Sequence, residues 1–174
     1  YIERCADVPD GWADLVISNC VINLSPRKDQ VFRTVARMLK PGGELYVSDI
    51  VCDRRLPDAA RQDWRMYSEC LTGAQYGADL HDTLRAAGFS DVRTVSSALL
   101  EARIEGEAAR FSSVTFRGFR LDLDRRCEDY GQTATYRGTL AGSEVLWALD
   151  ADHVFEAGRP AAICRNTARM LSQT

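Results

Sequence analysis

The stretch DLVISNCVINLSPRKDQVFRTVARMLKPGGELYVSD, residues 14–49, decides the fold class. Its opening DLVIS sets three consecutive apolar residues in a short run with no polar face, the pattern of a parallel strand covered on both sides. Between positions 27 and 39, Val31, Val35, Met38 and Leu39 recur at helical spacing, with Ser25 available as a cap and Pro26 suited to the first helical position. Lys40-Pro41-Gly42-Gly43 ends that helix, and ELYVSD (44–49) supplies a second strand. Strand, helix and strand joined by short connections form the crossover unit of an α/β sheet.

Beyond this unit, Pro57 opens a helix in which Ala60, Trp64, Tyr67 and Leu71 form one stripe, with Cys70 on its edge. Another helix spans 78–87 and stops at Gly88, after which 92–96 returns to the sheet. In 111–121 the alternation of Val114 and Phe116 changes phase to Phe119 and Leu121, which predicts a bulge near Gly118. The character changes from Cys127. Residues 131–140 alternate through Ala134 and Tyr136, Ala141-Gly142 can turn, and Val145, Trp147 and Leu149 share one face of a returning strand. The expected division is a partial Rossmann-like α/β domain at 1–126 and a small antiparallel β segment at 127–174. The chain opens at Tyr1, and its early sequence holds no glycine-rich turn between a strand and a helix. A parallel sheet starting here is therefore expected to lack its first half and to leave an edge for another chain to cover, a route to self-association.

Composition narrows the function. The formal charge is -3, and residues 101–137 match seven arginines against seven acids, so no one-sided positive field suggests nucleic acid. No apolar run approaches the roughly 20 residues that span a bilayer, and residues 1–10 lack the basic-then-apolar order of a signal peptide. The expectation is a cytoplasmic protein without a membrane partner. Six cysteines (Cys5, Cys20, Cys52, Cys70, Cys127, Cys164) include no CxxC pair, which leaves a zinc knuckle unsupported. Their wide spacing also fits reduced thiols better than a compact disulfide scaffold.

In open parallel sheets ligands bind at the carboxyl ends of strands, so Ser18-Asn19-Cys20 sits where a reaction centre is expected. Cys70 follows the next strand, and a connection of that kind can return it to the same rim. The runs VISNCVINLSP (16–26), LKPGGELYVSD (39–49), YSECLTGA (67–74) and CEDYGQTATYRG (127–138) resemble, in order and spacing, the arsenite S-adenosylmethionine methyltransferase family. LKPGG before a strand is common to many class I methyltransferases, whereas SNCVINLSP joined to ECLTGA is narrow.

The resemblance implies the carboxyl-terminal part of a class I methyltransferase sheet, with Cys20 and Cys70 as the catalytic thiols that hold trivalent arsenic. Arsenic(III) is soft and thiophilic, and sulfur ligands leave its lone pair pointing away from them as the nucleophile. Such an enzyme chiefly positions reactants and excludes water, an effect of about 7–11 kcal/mol. By the same resemblance Ile2, Glu3 and Asn19 contact the S-adenosylmethionine cofactor, while a glycine loop, a ribose-binding acid and a further cysteine belong upstream of Tyr1. Arsenite or its thiol conjugates and a thiol reductant are the implied partners. Two alternatives stay open: a non-catalytic thiol module for arsenite or a soft metal, and a class I methyltransferase for another small molecule. Cys127 reads as structural, with a redox partner as the alternative; Cys5, Cys52 and Cys164 read as structural or incidental. His81 and His153 read as surface or capping side chains, and Trp64, Tyr67 and Tyr76 as walls of a dry pocket around Cys70, with plain core as the alternative.

Overall fold

The computed structural model describes residues 3–58, 66–67, 69–102 and 108–174. The leading unit is as expected: strand β1 (Ala13–Asn19), helix α1 (Lys28–Met38) and strand β2 (Leu39–Cys52), with β1 and β2 parallel. A two-residue strand β3 (Gln75–Tyr76) pairs in parallel with the end of β2, and helix α2 (Gly77–Ala86) follows it. Strands β4 (Val92–Leu100) and β5 (Phe111–Phe119) then run antiparallel, giving the order β1-β2-β5-β4. The helix read from Pro57 to Leu71 falls largely outside the described residues.

Helices α1 and α2 pack on one sheet face. Val31, Phe32, Val35 and Met38 of α1 and Leu80 and Leu84 of α2 close over Leu45 and Val47 of β2 and Phe116 of β5, all buried. From Gly43 to Val51 the odd-numbered residues of β2 face these helices, as the two-residue period of a strand requires. Phe119 instead belongs to a different cluster with Leu123, Leu149, Phe155, Ile163 and Met170. This explains the phase change in β5 without the expected bulge near Gly118: the strand keeps continuous register with β2, and its two faces fill separate cores. One irregularity lies in β4, where Val95 is the extra residue between Thr94 and Ser96, and another in the β1–β2 pairing, where Ala13 pairs with Leu39 but Leu15 with Glu44.

Three further expectations are corrected. Within this chain β1 is not covered on both sides, with Leu15 48% and Ile17 68% exposed, and it forms the open sheet edge that the sequence led us to expect. β2 starts at Leu39 and runs through the Lys-Pro-Gly-Gly segment. Gly42 takes φ +82, and a Cβ there would collide with the carbonyl of Gln173, so this glycine admits close backbone approach in addition to its turn. Ser25 is not the cap of α1, whose N-cap is Arg27; its hydroxyl accepts from the Arg27 N–H at 3.1 Å and donates to Glu3.

The last third is antiparallel as expected but pairs differently. β6 (Gln132–Thr135) joins β9 (Pro160–Ile163), and β7 (Leu146–Ala148) joins β8 (Val154–Glu156), so 131–140 and 145–149 do not form a hairpin. Tyr136 occupies the intervening loop, its hydroxyl accepting from Leu140 N–H and donating to the Ser143 carbonyl. Helix α3 (Arg165–Gln173) closes this part of the chain. Among the described residues, no helix is long and apolar enough to cross a membrane.

Because Phe116 is buried between both helices and the sheet, Phe116→Ala is expected to cost about 3–5 kcal/mol in urea unfolding. A loss below about 1 kcal/mol would contradict the assignment of this core.

Candidate functional site

β1 and β2 are parallel, so their carboxyl ends meet at one rim. Cys20 leaves β1 there, held by its N–H to the Ser48 carbonyl at 2.9 Å. The chain after β2 returns to this rim before β3, and the Cys70 thiol reaches the carbonyl oxygen of Cys20 at 3.1 Å. Residues 50 positions apart in sequence thus come together.

Their backbones share a rare feature. Cys20 (φ +53) and Cys70 (φ +61) both occupy the left-handed region, as does Cys5 (φ +38), and no other described non-glycine residue does. Such a conformation costs about 1–3 kcal/mol at a non-glycine residue and tends to persist at functional sites. Glycine would adopt this backbone more cheaply but would supply no thiol.

The loop after β1 is fixed by Asn23, a residue the sequence reading did not single out. Its N–H donates to the Asp49 carboxylate at 3.0 Å, and its side-chain amide donates to the carbonyls of Ile50 at 2.7 Å and Cys70 at 3.4 Å. One buried side chain therefore ties the β1 loop to the end of β2 and to the Cys70 turn. Gly73 completes this junction, since a Cβ there would collide with the Asn23 carbonyl. Lys28 donates to the carbonyls of Asn23 and Ser25 at 3.4 and 3.1 Å, and Tyr67 donates its hydroxyl to the Leu24 carbonyl. The one available sequence signal was an asparagine between apolar residues in VINLS.

Burial separates the two thiols. Cys20 is exposed; Cys70 is buried, and desolvation raises its pKa, reinforced by the Asp49 carboxylate and by Cys20 and opposed by Lys28. Burial likewise raises the pKa of Asp49, against the pull of the Ile50 and Asn23 N–H groups. A cleft of about 360 Å³ opens beside the junction, lined in part by Asn23, Ser25, Lys28, Tyr67, Thr72 and Tyr76. Tyr67 and Tyr76 thus wall a cleft next to Cys70, although its rim carries many polar groups; Trp64 lies outside the described residues.

Of the residues assigned to a cofactor, Ile2 lies outside the described residues. Glu3 accepts from Ser25 Oγ at 2.6 Å, a bond that heads the causes lowering its pKa, and its backbone carbonyl accepts from Thr34 at 2.7 Å. Asn19 ends β1, exposed, beside a cavity of about 280 Å³ between β1 and α1 that Ser18, Val21 and Ile22 also line. Glu3 and Asn19 are not brought into contact by any bond of the structure. His153 is not a plain surface residue: its ring lies 2.7 Å from the buried Asp150 carboxylate.

Comparison with known proteins now becomes decisive. A methyltransferase-domain family model matches residues 1–88. The chain belongs to the methyltransferase-domain family. It is 49% identical, over its whole length, to an arsenite methyltransferase of Aquipseudomonas alcaligenes, covering 53% of that protein. It is 35% identical to the arsenite methyltransferase of Homo sapiens, again over 100% of this chain and 48% of the human protein. The crystal structure of CrArsM, an arsenic(III) S-adenosylmethionine methyltransferase from Chlamydomonas reinhardtii, superposes with a TM-score of 0.90 and 39% identity, over 98% of this chain and 60% of that one. The motif resemblance and the class I methyltransferase fold are thereby borne out. The chain spans about half the length of the curated relatives it matches.

At pH 8, Cys20 should react with iodoacetamide faster than Cys70, because Cys70 is buried and its raised pKa leaves it less of the reactive thiolate. Raising the pH should narrow the gap. Equal rates at pH 8, followed by mass spectrometry of the labelled peptides, would contradict the burial of Cys70.

Proposed function

We propose that this chain carries the arsenic-holding part of an S-adenosylmethionine-dependent arsenite methyltransferase, with Cys20 and Cys70 as the two protein ligands of arsenic. The observation that carries the reading is the approach of the Cys70 thiol to the Cys20 carbonyl at the rim where β1 and β2 end. Thiols are the natural donors for a soft trivalent centre, and the relatives described above are named for that chemistry.

Arsenite binding at this pair is a ligand exchange. Each new As–S bond replaces an As–O bond, and the thiol proton leaves with the departing hydroxyl as water. A protonated Cys70 is thus no obstacle, since its proton is consumed in the exchange. The raised pKa has a use before binding, because a thiol with little thiolate character resists oxidation. Once two sulfurs hold arsenic, its lone pair is directed away from them. Asn23 and Gly73 keep the two loops in register, so little ordering remains to be done on binding.

Glu3, oriented by Ser25, and Asn19, at the open end of β1, are the described residues we assign to the cofactor, with Ile2 beside them in sequence. Their fit is supported by an ordered carboxylate acceptor and by an exposed amide bordering the cavity along β1. When bound, S-adenosylmethionine would supply an electrophilic methyl group. A thiol reductant in a cytoplasmic setting would keep the cysteines reduced, and the exposed apolar edge of β1 supports association with a further sheet segment or a second chain.

Titration with arsenite, monitored by loss of free thiol and carried out with Cys127 changed to serine so that no other thiol pair competes, should give tight binding and at least about tenfold weaker binding on adding either Cys20→Ser or Cys70→Ser, since each removes one of two ligands. Equal binding by all three would end the site assignment. Assay of methylated arsenic by mass spectrometry then separates methyl transfer from storage: the proposal expects product and its loss in both variants, and bound arsenite without product would favour a thiol-binding module.

A further inference from the structure

Far along the chain from the arsenic site, Cys127 and Cys164 form a second thiol pair. Cys127 lies in the segment after β5, and Cys164 is the N-cap of α3. Their sulfurs are 2.6 Å apart, closer than two thiols make by packing alone, and no disulfide joins any of the six cysteines. We propose that Cys127 and Cys164 are a redox-active dithiol that closes to a reversible disulfide by exchange with a low-molecular-weight disulfide.

Three features support closure. First, the backbone around the pair is already clamped. Buried Asn166, two residues after Cys164, accepts from the Asp124 N–H at 2.9 Å and donates to the Asp124 carbonyl at 2.8 Å, while Arg165 N–H donates to the Glu128 carbonyl at 3.0 Å. The segment carrying Cys127 is thus held against the first turn of α3 from both sides, and joining the sulfurs asks for little rearrangement.

Second, the pair shares a buried cation. Arg93 on β4 places Nη2 3.9 Å from Cys127 Sγ and 3.8 Å from Cys164 Sγ. The same guanidinium bonds Asp91 through Nε and Nη2 at 2.8 and 2.7 Å, and meets Asp150 at 3.2 Å, His153 at 3.2 Å and Thr167 at 3.3 Å. Those carboxylates balance its charge when no thiolate is present, so Arg93 can serve both redox states.

Third, the two sulfurs are electronically unequal. Burial works against the Cys164 thiolate, but hydrogen bonds from Cys127, Thr167 and Arg93 outweigh it and bring its pKa down to about 7. Cys127 is pushed up to about 11, by burial first and then by the neighbouring Cys164. The N-terminus of α3 favours negative charge at Cys164 as well. Cys164 is therefore the attacking sulfur and Cys127 the resolving one, a division of labour suited to thiol–disulfide exchange.

The steps balance. Cys164 thiolate attacks one sulfur of the external disulfide, forming a mixed disulfide and expelling a thiolate. Cys127 gives up its proton to that thiolate and attacks the Cys164 sulfur, expelling a second thiolate, which takes up from solvent the proton that Cys164 released on ionising. The protein loses two electrons and two protons in all, and the external disulfide, reduced to two thiols, gains them. The reverse exchange with a thiol reductant reopens the pair. Closure would lock the segment after β5 to α3 without touching Cys20 or Cys70.

The test is equilibration of the reduced chain with graded mixtures of reduced and oxidised glutathione, acid quenching, alkylation and disulfide mapping by mass spectrometry. The Cys127–Cys164 cross-link should appear first, at ratios where Cys5, Cys20, Cys52 and Cys70 remain alkylatable. In Cys127→Ser, glutathione should accumulate on Cys164 as the mixed disulfide. A pair that stays reduced while other cysteines oxidise, or that closes only after denaturation, would overturn the proposal, and the wild-type mapping decides this even if the variant misfolds. Failure to close combined with protection of both thiols by arsenite would replace the proposal with a second arsenic site. None of these outcomes bears on Cys20 and Cys70, so the two assignments stand or fall separately.

Discussion

Everything at the rim of the sheet depends on Asn23. Its main-chain N–H satisfies a buried carboxylate, Asp49, and its side-chain amide satisfies two carbonyls that belong to different segments. A buried polar group left unpaired costs about 1–3 kcal/mol, so separating these segments would expose several such deficits at once. The left-handed backbones of Cys20 and Cys70 persist because this junction holds the loops on either side of them. Strain in the two cysteines and satisfaction at Asn23 are two aspects of one arrangement: the junction fixes where the thiols stand, and the thiols give the junction a chemical use.

The strand-helix-strand unit was legible because Val31, Val35, Met38 and Leu39 repeat at 3.6-residue spacing and DLVIS does not. The length of β2 was not, since Pro41-Gly42-Gly43 reads locally as a stop. There the glycines serve a tertiary purpose, letting the end of α3 approach the backbone at Gly42. The phase change in β5 was visible but not its cause, because one strand filling two cores cannot be told from a bulge by alternation alone. Partner choice among β6 to β9 was beyond reach for a similar reason. Short strands with similar alternation do not encode their neighbours, and Tyr136 directs its hydroxyl into a loop that the sequence offered as a turn.

At the site, Cys20 and Cys70 were legible only through motif resemblance, since no spacing rule joins thiols so far apart. Asn23 escaped notice because loop asparagines are common and its partners are backbone atoms. Cys164 was passed over for lack of any sequence link to Cys127, a link that Arg93 and Asn166 make in three dimensions. The two thiol pairs differ in a way that follows from their neighbours. Burial, and then the Asp49 carboxylate, hold the proton on Cys70; hydrogen bonds from Cys127, Thr167 and Arg93 lower the pKa of Cys164 against burial. One environment suits a ligand that reacts only when its target arrives, and the other suits exchange.

The central claim is that Cys20 and Cys70 grip the same arsenic atom. X-ray absorption at the arsenic edge reads its coordinating atoms directly, and is best done on the arsenite-loaded chain in a Cys127→Ser background so that the second pair cannot compete. The account predicts sulfur neighbours in that protein and one fewer when either Cys20 or Cys70 is changed to serine. A sulfur shell that survives both substitutions unchanged would contradict it.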